Sequence, residues 1–272
     1  MTQVVAKLSL AAACTAALFS APAVAQNLPD NLVEIEVLDG GKTRHGNVIG
    51  ALRVTLSDGW KTYWRSPGDA GIPPTFSWKG SQNVADVQIS WPAPEVFLTS
   101  GLRTLGYEQQ MVLPVEITPA RPGKPIRLKG RVGIGVCKEV CVPSELRFDH
   151  AMNANAKRNP TIAAALASRP YTAREAGVKS ATCRLSPTQY GMKIEARITM
   201  PSAGGTEIAV IESGSPYLQA SDTTARRTGN TLVAESEFFS LNDGLISIDR
   251  SAVRITVLGQ SHAVDIQGCS TG

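Results

Sequence analysis

Between Ile126 and His150 the residues alternate with a period of two around a pair of cysteines, Cys137 and Cys141. Positions 126, 128, 132, 134 and 136 are Ile, Leu, Val, Ile and Val, whereas 127, 129 and 131 are Arg, Lys and Arg. Successive strand side chains point to opposite faces, so this pattern predicts a half-buried strand with its odd face in water. Past Cys141 the parity holds, with Val142, Leu146 and Phe148 inward and Glu145, Arg147 and Asp149 outward. Lys138-Glu139-Val140 then forms a three-residue turn. The predicted hairpin sets Cys137 opposite Cys141, Lys129 opposite Asp149 and Arg131 opposite Arg147. Directly opposed residues have Cβ atoms about 4.5–5.5 Å apart, wider than a disulfide prefers, so a bond here is expected to be strained and reducible. Gly133 and Gly135 precede Cys137 on the outward face and leave the sulfurs open. Glycine in a strand also marks close approach by another backbone. Pro143 removes the amide opposite Gly135, which points to an edge strand or an interrupted ladder.

The same grammar runs through most of the chain. Short apolar, β-branched runs recur between Gly, Pro, Asn and Asp, with turn signals at Asp58-Gly59, Gly229-Asn230 and Asp243-Gly244. They predict all-β architecture, with antiparallel β-sandwiches. One helix interrupts: Asn159 caps, Pro160 takes the first helical position, and an alanine-rich run ends before Pro170. It predicts a helical connector over 155–176, between a first domain at 26–154 and a second β-sandwich domain at 177–272.

Residues 1–25 read as a signal peptide. Lys7 is followed by an apolar run from Leu8 to Phe19 and by Ala23-Val24-Ala25, so cleavage is expected after Ala25. That run is shorter than the roughly 20 residues a spanning helix needs, and no second run of spanning length follows. The expectation is an exported, periplasmic protein with no membrane span in the mature chain. Export permits disulfides. With Cys14 removed, Cys137, Cys141, Cys183 and Cys269 remain, and four cysteines allow three pairings. The simplest joins Cys137 to Cys141 and Cys183 to Cys269. A bridge across the second domain adds about 4–5 kcal/mol by loop entropy, against about 2 kcal/mol for the short loop. The long bridge is thus expected to be structural, and the short one needs another reason. A net charge of +4 on 272 residues does not point to nucleic acid. Three histidines, with no close His or Cys/His pair, argue against a zinc enzyme, and no phosphate-cradling glycine loop occurs.

The run Gly59-Trp60-Lys61-Thr62-Tyr63-Trp64-Arg65-Ser66-Pro67-Gly68-Asp69-Ala70-Gly71-Ile72-Pro73-Pro74 resembles the opening signature of the N-terminal domain of DsbD-type thiol–disulfide interchange proteins, and most resembles the copper-sensitivity-suppressor branch. Trp91-Pro92-Ala93-Pro94, Leu105-Gly106-Tyr107-Glu108, Val112-Leu113-Pro114-Val115 and Cys137-Lys138-Glu139-Val140-Cys141-Val142-Pro143 follow in the family's order. The resemblance covers about residues 30–150. It implies an immunoglobulin-like domain, hence two immunoglobulin-like sandwiches in the chain, and a redox pair at Cys137 and Cys141 working without an organic cofactor. Gly101–Tyr107 lies where the family has a cap loop, which makes Leu105 and Tyr107 the shielding side chains. Glu108 and Glu139 are placed near the thiols, where a carboxylate disfavours thiolate. Trp60, Tyr63, Trp64 and Trp78 read as core and lip aromatics. Family members continue into membrane and thioredoxin-like domains, which this sequence is not expected to supply. The resemblance therefore implies a membrane electron donor of the DsbD/CcdA type in trans and periplasmic thioredoxin-like partners.

Two other readings compete with a redox relay. Two thiolates at Cys137 and Cys141 suit Cu(I), with Met111 or Met152 as a further thioether ligand, which would make this a copper-tolerance protein. Alternatively the chain is an interaction module whose two disulfides are inert.

Overall fold

The computed structural model describes residues 31–272 apart from 100 and 243. The signal peptide, its cleavage point and Cys14 lie outside the described residues, as does Asp243 of the third turn signal. Ten strands build the first sandwich: β1 (Val33–Lys42), β2 (Val48–Leu56), β3 (Lys61–Gly68), β4 (Thr75–Ser77), β5 (Val84–Ile89), β6 (Glu95–Thr99), β7 (Leu102–Glu108), β8 (Gln110–Pro119), β9 (Arg127–Cys137) and β10 (Cys141–Ala151). Helix α1 (Pro160–Ala167) and the two-residue β11 (Tyr171–Thr172) follow. The second sandwich adds β12 (Ser180–Pro187), β13 (Met192–Thr199), β14 (Ile208–Glu212), β15 (Leu218–Ala220), β16 (Thr224–Thr228), β17 (Thr231–Ser240), β18 (Arg254–Leu258), β19 (Ala263–Gln267) and β20 (Ser270–Thr271).

In the first sandwich the order β1-β2-β8-β5 faces β10-β9-β3-β7-β6, with β4 laid on β9. In the second, β11-β19-β18-β14 faces β15-β17-β13-β12-β20, with β16 on β17. All pairings are antiparallel except β11–β19 and β12–β20. These are two immunoglobulin-like β-sandwiches. Alternation fills each core: Leu52, Val54, Leu113, Val115, Leu128 and Val136 are almost wholly buried in the first, and Ile194, Ile198, Val257 and Val264 in the second. Each such side chain contributes about 1.5–3 kcal/mol of burial.

Asn159 caps α1 by accepting from the Thr161 amide at 3.0 Å, and Pro160 fills the first helical position. The helix turns Ile162 inward against Gly40 of β1. The sandwiches also touch directly. Leu258 and Ala263 of the second are buried in the core of the first, with Ile208 and Val210 packed beside them.

One sequence expectation fails here. The stretch Gly101–Tyr107 is not a cap loop, because Leu102–Glu108 forms β7, paired with β6 on one side and β3 on the other. Four successive residues, Thr104 to Tyr107, are buried, so both faces are covered and the period-two signature is lost.

Candidate functional site

The β9–β10 hairpin carries Cys137 opposite Cys141, Asp149 opposite Lys129 and Arg147 opposite Arg131. The turn closes with the Lys138 amide donating to the Val140 carbonyl at 3.0 Å. Cys137 and Cys141 are bonded, with Cα atoms 4.1 Å apart. Glu145 lies between Arg131, at 3.3 Å, and Arg147, at 2.8 Å, and so offsets the like-charge pair.

The two sulfurs are not equivalent. Cys137 is 1% exposed, whereas Cys141 is exposed. Sheet order explains it: β9 is flanked by β3, which pairs Lys61 with Cys137, while β10 is the last strand of its sheet. Directly paired residues share a face. Cys141, Cys137, Lys61 and Glu108 therefore form one row across the sheet.

Tyr63 sits two residues beyond Lys61 on that face. Its hydroxyl lies 3.5 Å from Cys141 Sγ. The sulfur carries no hydrogen in a disulfide, so the phenol is the donor. Tyr63 is 3% exposed, and burial pushes its pKa above the ordinary value, which keeps the proton on oxygen. A hydroxyl held so donates to a thiolate formed on Cys141 and stabilises it.

The outward face before Cys137 is not open, contrary to the reading of Gly133 and Gly135. Ile72, in the loop after β3, lies over Gly135, and β4 pairs beside β9 with Thr75 opposite Gly133. A Cβ on Gly135 would come within 2.8 Å of the Ile72 Cβ, and one on Gly133 within 2.6 Å of the Thr75 hydroxyl. These glycines admit a neighbouring segment rather than a ligand. Gly71 permits the return: a Cβ there would lie 2.3 Å from the Pro67 Cβ and 2.8 Å from the Tyr63 ring. The Thr62 hydroxyl donates to the Gly135 carbonyl at 2.9 Å inside the sheet. A groove of about 330 Å³ remains between this cover and β10, lined by Ile72, Pro73, Thr75, Gly133, Pro143 and Glu145 among others.

The structure does not bring Leu105 and Tyr107 to the disulfide. Both lie in the core, and Tyr107 donates to the Pro92 carbonyl at 2.9 Å. Burial pushes the Tyr107 pKa up, with Arg65 opposing. The side chains over the cysteine face are Tyr63 and Ile72 instead. Glu108 is in the cysteine row but two strands from Cys137, about 10 Å by strand spacing, with Lys61 between. Glu139 is exposed on the turn. Trp60 and Trp64 are core residues, and Trp78 stacks on Phe76 and meets the edge of Phe148. Met111 and Met152 are buried in the first core, paired with or packed against β2, and join no cysteine. Among the described residues no group of three or more His, Cys, Asp or Glu is gathered to hold a metal ion.

Cys183 and Cys269 are bonded across a separation of 86 residues. Cys183 is 0% exposed. The bond ties β12 to the chain just before β20, which pairs beside it.

Residues 36–152 match the family described as thiol:disulfide interchange protein DsbD, N-terminal. The solved N-terminal periplasmic domain of ScsB from Proteus mirabilis is similar over both sandwiches. It covers 90% of this chain and 97% of its own length at 19% identity, with a TM-score of 0.66. The reduced DsbD N-terminal domain of Neisseria meningitidis is 17% identical over 48% of this chain and 95% of its own, with a TM-score of 0.28. No curated protein matches the chain. The resemblance read from the motifs at 59–74 and 137–143 thus stands, and the ScsB likeness supports the tandem-sandwich fold. No helix among the described residues is long and apolar enough to cross a membrane.

Proposed function

We propose that this chain is a periplasmic thiol–disulfide interchange protein that relays electrons through Cys137 and Cys141. The observation carrying this reading is the asymmetry of the pair: an exposed Cys141 with a phenol at its sulfur, bonded to a buried Cys137. A thiolate from a donor dithiol attacks Cys141 Sγ, the Cys137–Cys141 bond breaks, and Cys137 leaves with the bonding pair and takes a proton. The donor's second thiolate then attacks the mixed disulfide. Cys141 leaves as a thiolate facing Tyr63 and is protonated, while the donor becomes a disulfide. Two electrons and two protons have moved, and the reverse sequence passes them to an oxidised acceptor.

Cys141 is the attacking and attacked sulfur, and Cys137 resolves the intermediate. The donor is a membrane protein of the DsbD/CcdA type acting in trans, and the acceptors are periplasmic thioredoxin-like proteins. Cleavage after Ala25 releases a redox domain at 26–154, a helical linker at 155–176 and a second sandwich at 177–272, in which Cys183–Cys269 is structural. Cys137→Ala should form a stable mixed disulfide at Cys141 with a purified oxidised thioredoxin-like protein, visible on a non-reducing gel. Cys141→Ala should form none. Equal trapping by both variants, or none by either, would overturn the assignment.

A further inference from the structure

The strand that carries Tyr63 is held in an unusual way. β3 pairs with β9 only at Lys61 and Thr62, and with β7 in register as far as Tyr63. The next β7 pair joins Gly68 to Thr104. Residues 64–67 of β3 therefore face Leu105 alone, and the ladder fixes nothing immediately after Tyr63. The cover, whose Gly71 comes close to both Pro67 and the Tyr63 ring, begins in this same bulge.

The second sandwich holds the bulge. Arg65 points out of the first sandwich, and its side chain is 11% exposed. Its guanidinium donates to both Glu212 carboxylate oxygens, at 3.0–3.2 Å, and to the Thr256 hydroxyl at 2.9 Å. Asp265 lies 3.8 Å away and is itself gripped by Arg254 at 2.8 Å. Glu212, Thr256 and Asp265 sit on three adjacent strands, β14, β18 and β19. A rigid sheet thus presents a fork of acceptors to one planar cation, and such bidentate pairing fixes direction as well as distance. On β7, Arg103 makes a second bridge, to Asp222 and the Thr223 carbonyl.

We infer that Arg65 is a positioning residue for the cysteine pair: the second sandwich fixes the β3 bulge through Glu212 and Thr256, and so keeps the Tyr63 hydroxyl on Cys141. This rests on the redox reading of Cys137 and Cys141, and it gives the second sandwich a part in that chemistry. Trp64 stays anchored in the core, so releasing Arg65 frees residues 65–67 and the cover they lead into, lets the Tyr63 hydroxyl shift from the sulfur, and withdraws a hydrogen bond from the Cys141 thiolate. The charged residues next to the pair in sequence and register, Lys138 and Glu139 on the turn, Lys61 paired with Cys137 and Glu145 further along β10, belong to the first sandwich and are unaltered by changes in the second.

The test is the pH midpoint for iodoacetamide alkylation of Cys141 in the reduced full chain, with Cys137 replaced by Ala. Tyr63→Phe should raise the midpoint, because it deletes the donor. Glu212→Gln should raise it too, although that residue is on the other sandwich. The combined variant should move no further than Tyr63→Phe alone, since both act through one hydrogen bond. Thr256→Val removes a second Arg65 acceptor without leaving a charge, and serves if Glu212→Gln does not fold. Glu195→Gln, in an exposed pair with Arg197 elsewhere on the second sandwich, should leave the midpoint in place. The inference is overturned if Tyr63→Phe moves the midpoint while Glu212→Gln and Thr256→Val do not, or if the shifts simply add. It is also overturned if Tyr63→Phe has no effect. This readout needs no partner, so failure of the wild-type chain to exchange with a thioredoxin-like dithiol would count against the relay instead.

Discussion

Replacing Cys183 and Cys269 together by Ala should cost far more stability than replacing Cys137 and Cys141. A cross-link stabilises a fold mainly by restricting the unfolded chain, with an entropy near −2.1 − 1.5R ln n for a loop of n residues. The separation of 86 residues makes this about 4.6 kcal/mol at 25 °C. The separation of 4 makes it about 2 kcal/mol. Cys183 is wholly buried, so truncation also leaves a small void and adds to the larger loss. For a chain of this size the two pairs convert to falls in Tm of about 9–18 °C and about 4–8 °C.

Urea denaturation of the oxidised mature chain and of both double variants, followed by circular dichroism, measures the difference. The slope gives an independent check. A long cross-link compacts the unfolded state, so its removal should raise the m value, and removal of the short one should not. Equal losses, or a larger loss from the hairpin pair, would refute the entropic argument. A large loss at Cys183–Cys269 with no change in slope would make that bond's contribution enthalpic. Loop entropy does not itself protect either bond from reduction in the native state, because it belongs to the unfolded chain. What decides native reduction is whether a thiolate reaches the sulfur.

That access argument makes the next prediction. In graded thiol–disulfide buffers, alkylation mapped by mass spectrometry should label Cys137 and Cys141 before Cys183 and Cys269, and simultaneous labelling of all four would contradict it. Gly135→Ala should push Ile72 off the cysteine face. It should cost about 1–3 kcal/mol by overpacking and speed reduction of the pair by a small thiol, and unchanged reduction kinetics would remove Ile72 as a shield. Glu175 has its pKa lowered from 4.5 to about 2, first by Arg169 and then by Thr172. Its folded-state pKa is depressed, so its contribution is present above about pH 4.5 and is lost as the pH falls toward about 2. Glu175→Gln should flatten the stability profile in that window and leave it unchanged near pH 7.

The hairpin was legible because a strand's period of two is written in consecutive residues. Parity places Val132, Ile134 and Val136 inward and opposes Cys137 to Cys141, and Pro143 adds the hint of an edge or an interrupted ladder at β10. Helix α1 was legible for the same local reason, through Asn159, Pro160 and Pro170. The lid was not. Ile72 reaches Gly135 from more than sixty residues away in sequence, and Gly133 and Gly135 signal only that something approaches closely. Tyr63 shares parity with Lys61, but nothing local to Gly59–Arg65 says which strand its phenol meets. Leu105 and Tyr107 were assigned to a cap by family position. Burial on both faces of β7 had erased the alternation that would have marked them as core.

The contacts of Arg65 with Glu212 and Thr256, 147 and 191 residues away, are of this long-range kind, and their energetics bear on their purpose. Taking a guanidinium out of water costs several kcal/mol, which a well-formed pair roughly offsets, so the cluster is a weak source of net stability. Removing one member is different, because it strands a partly buried charge. Such an arrangement is more sensitive to geometry than a patch of Leu and Val would be, since apolar packing tolerates sliding and a forked ion pair does not. At this junction the apolar contacts of Leu258 and Ala263 already supply adhesion between the sandwiches. What the ion cluster adds is direction, on the strand that leads to Tyr63 and at the point where that strand has lost its ladder.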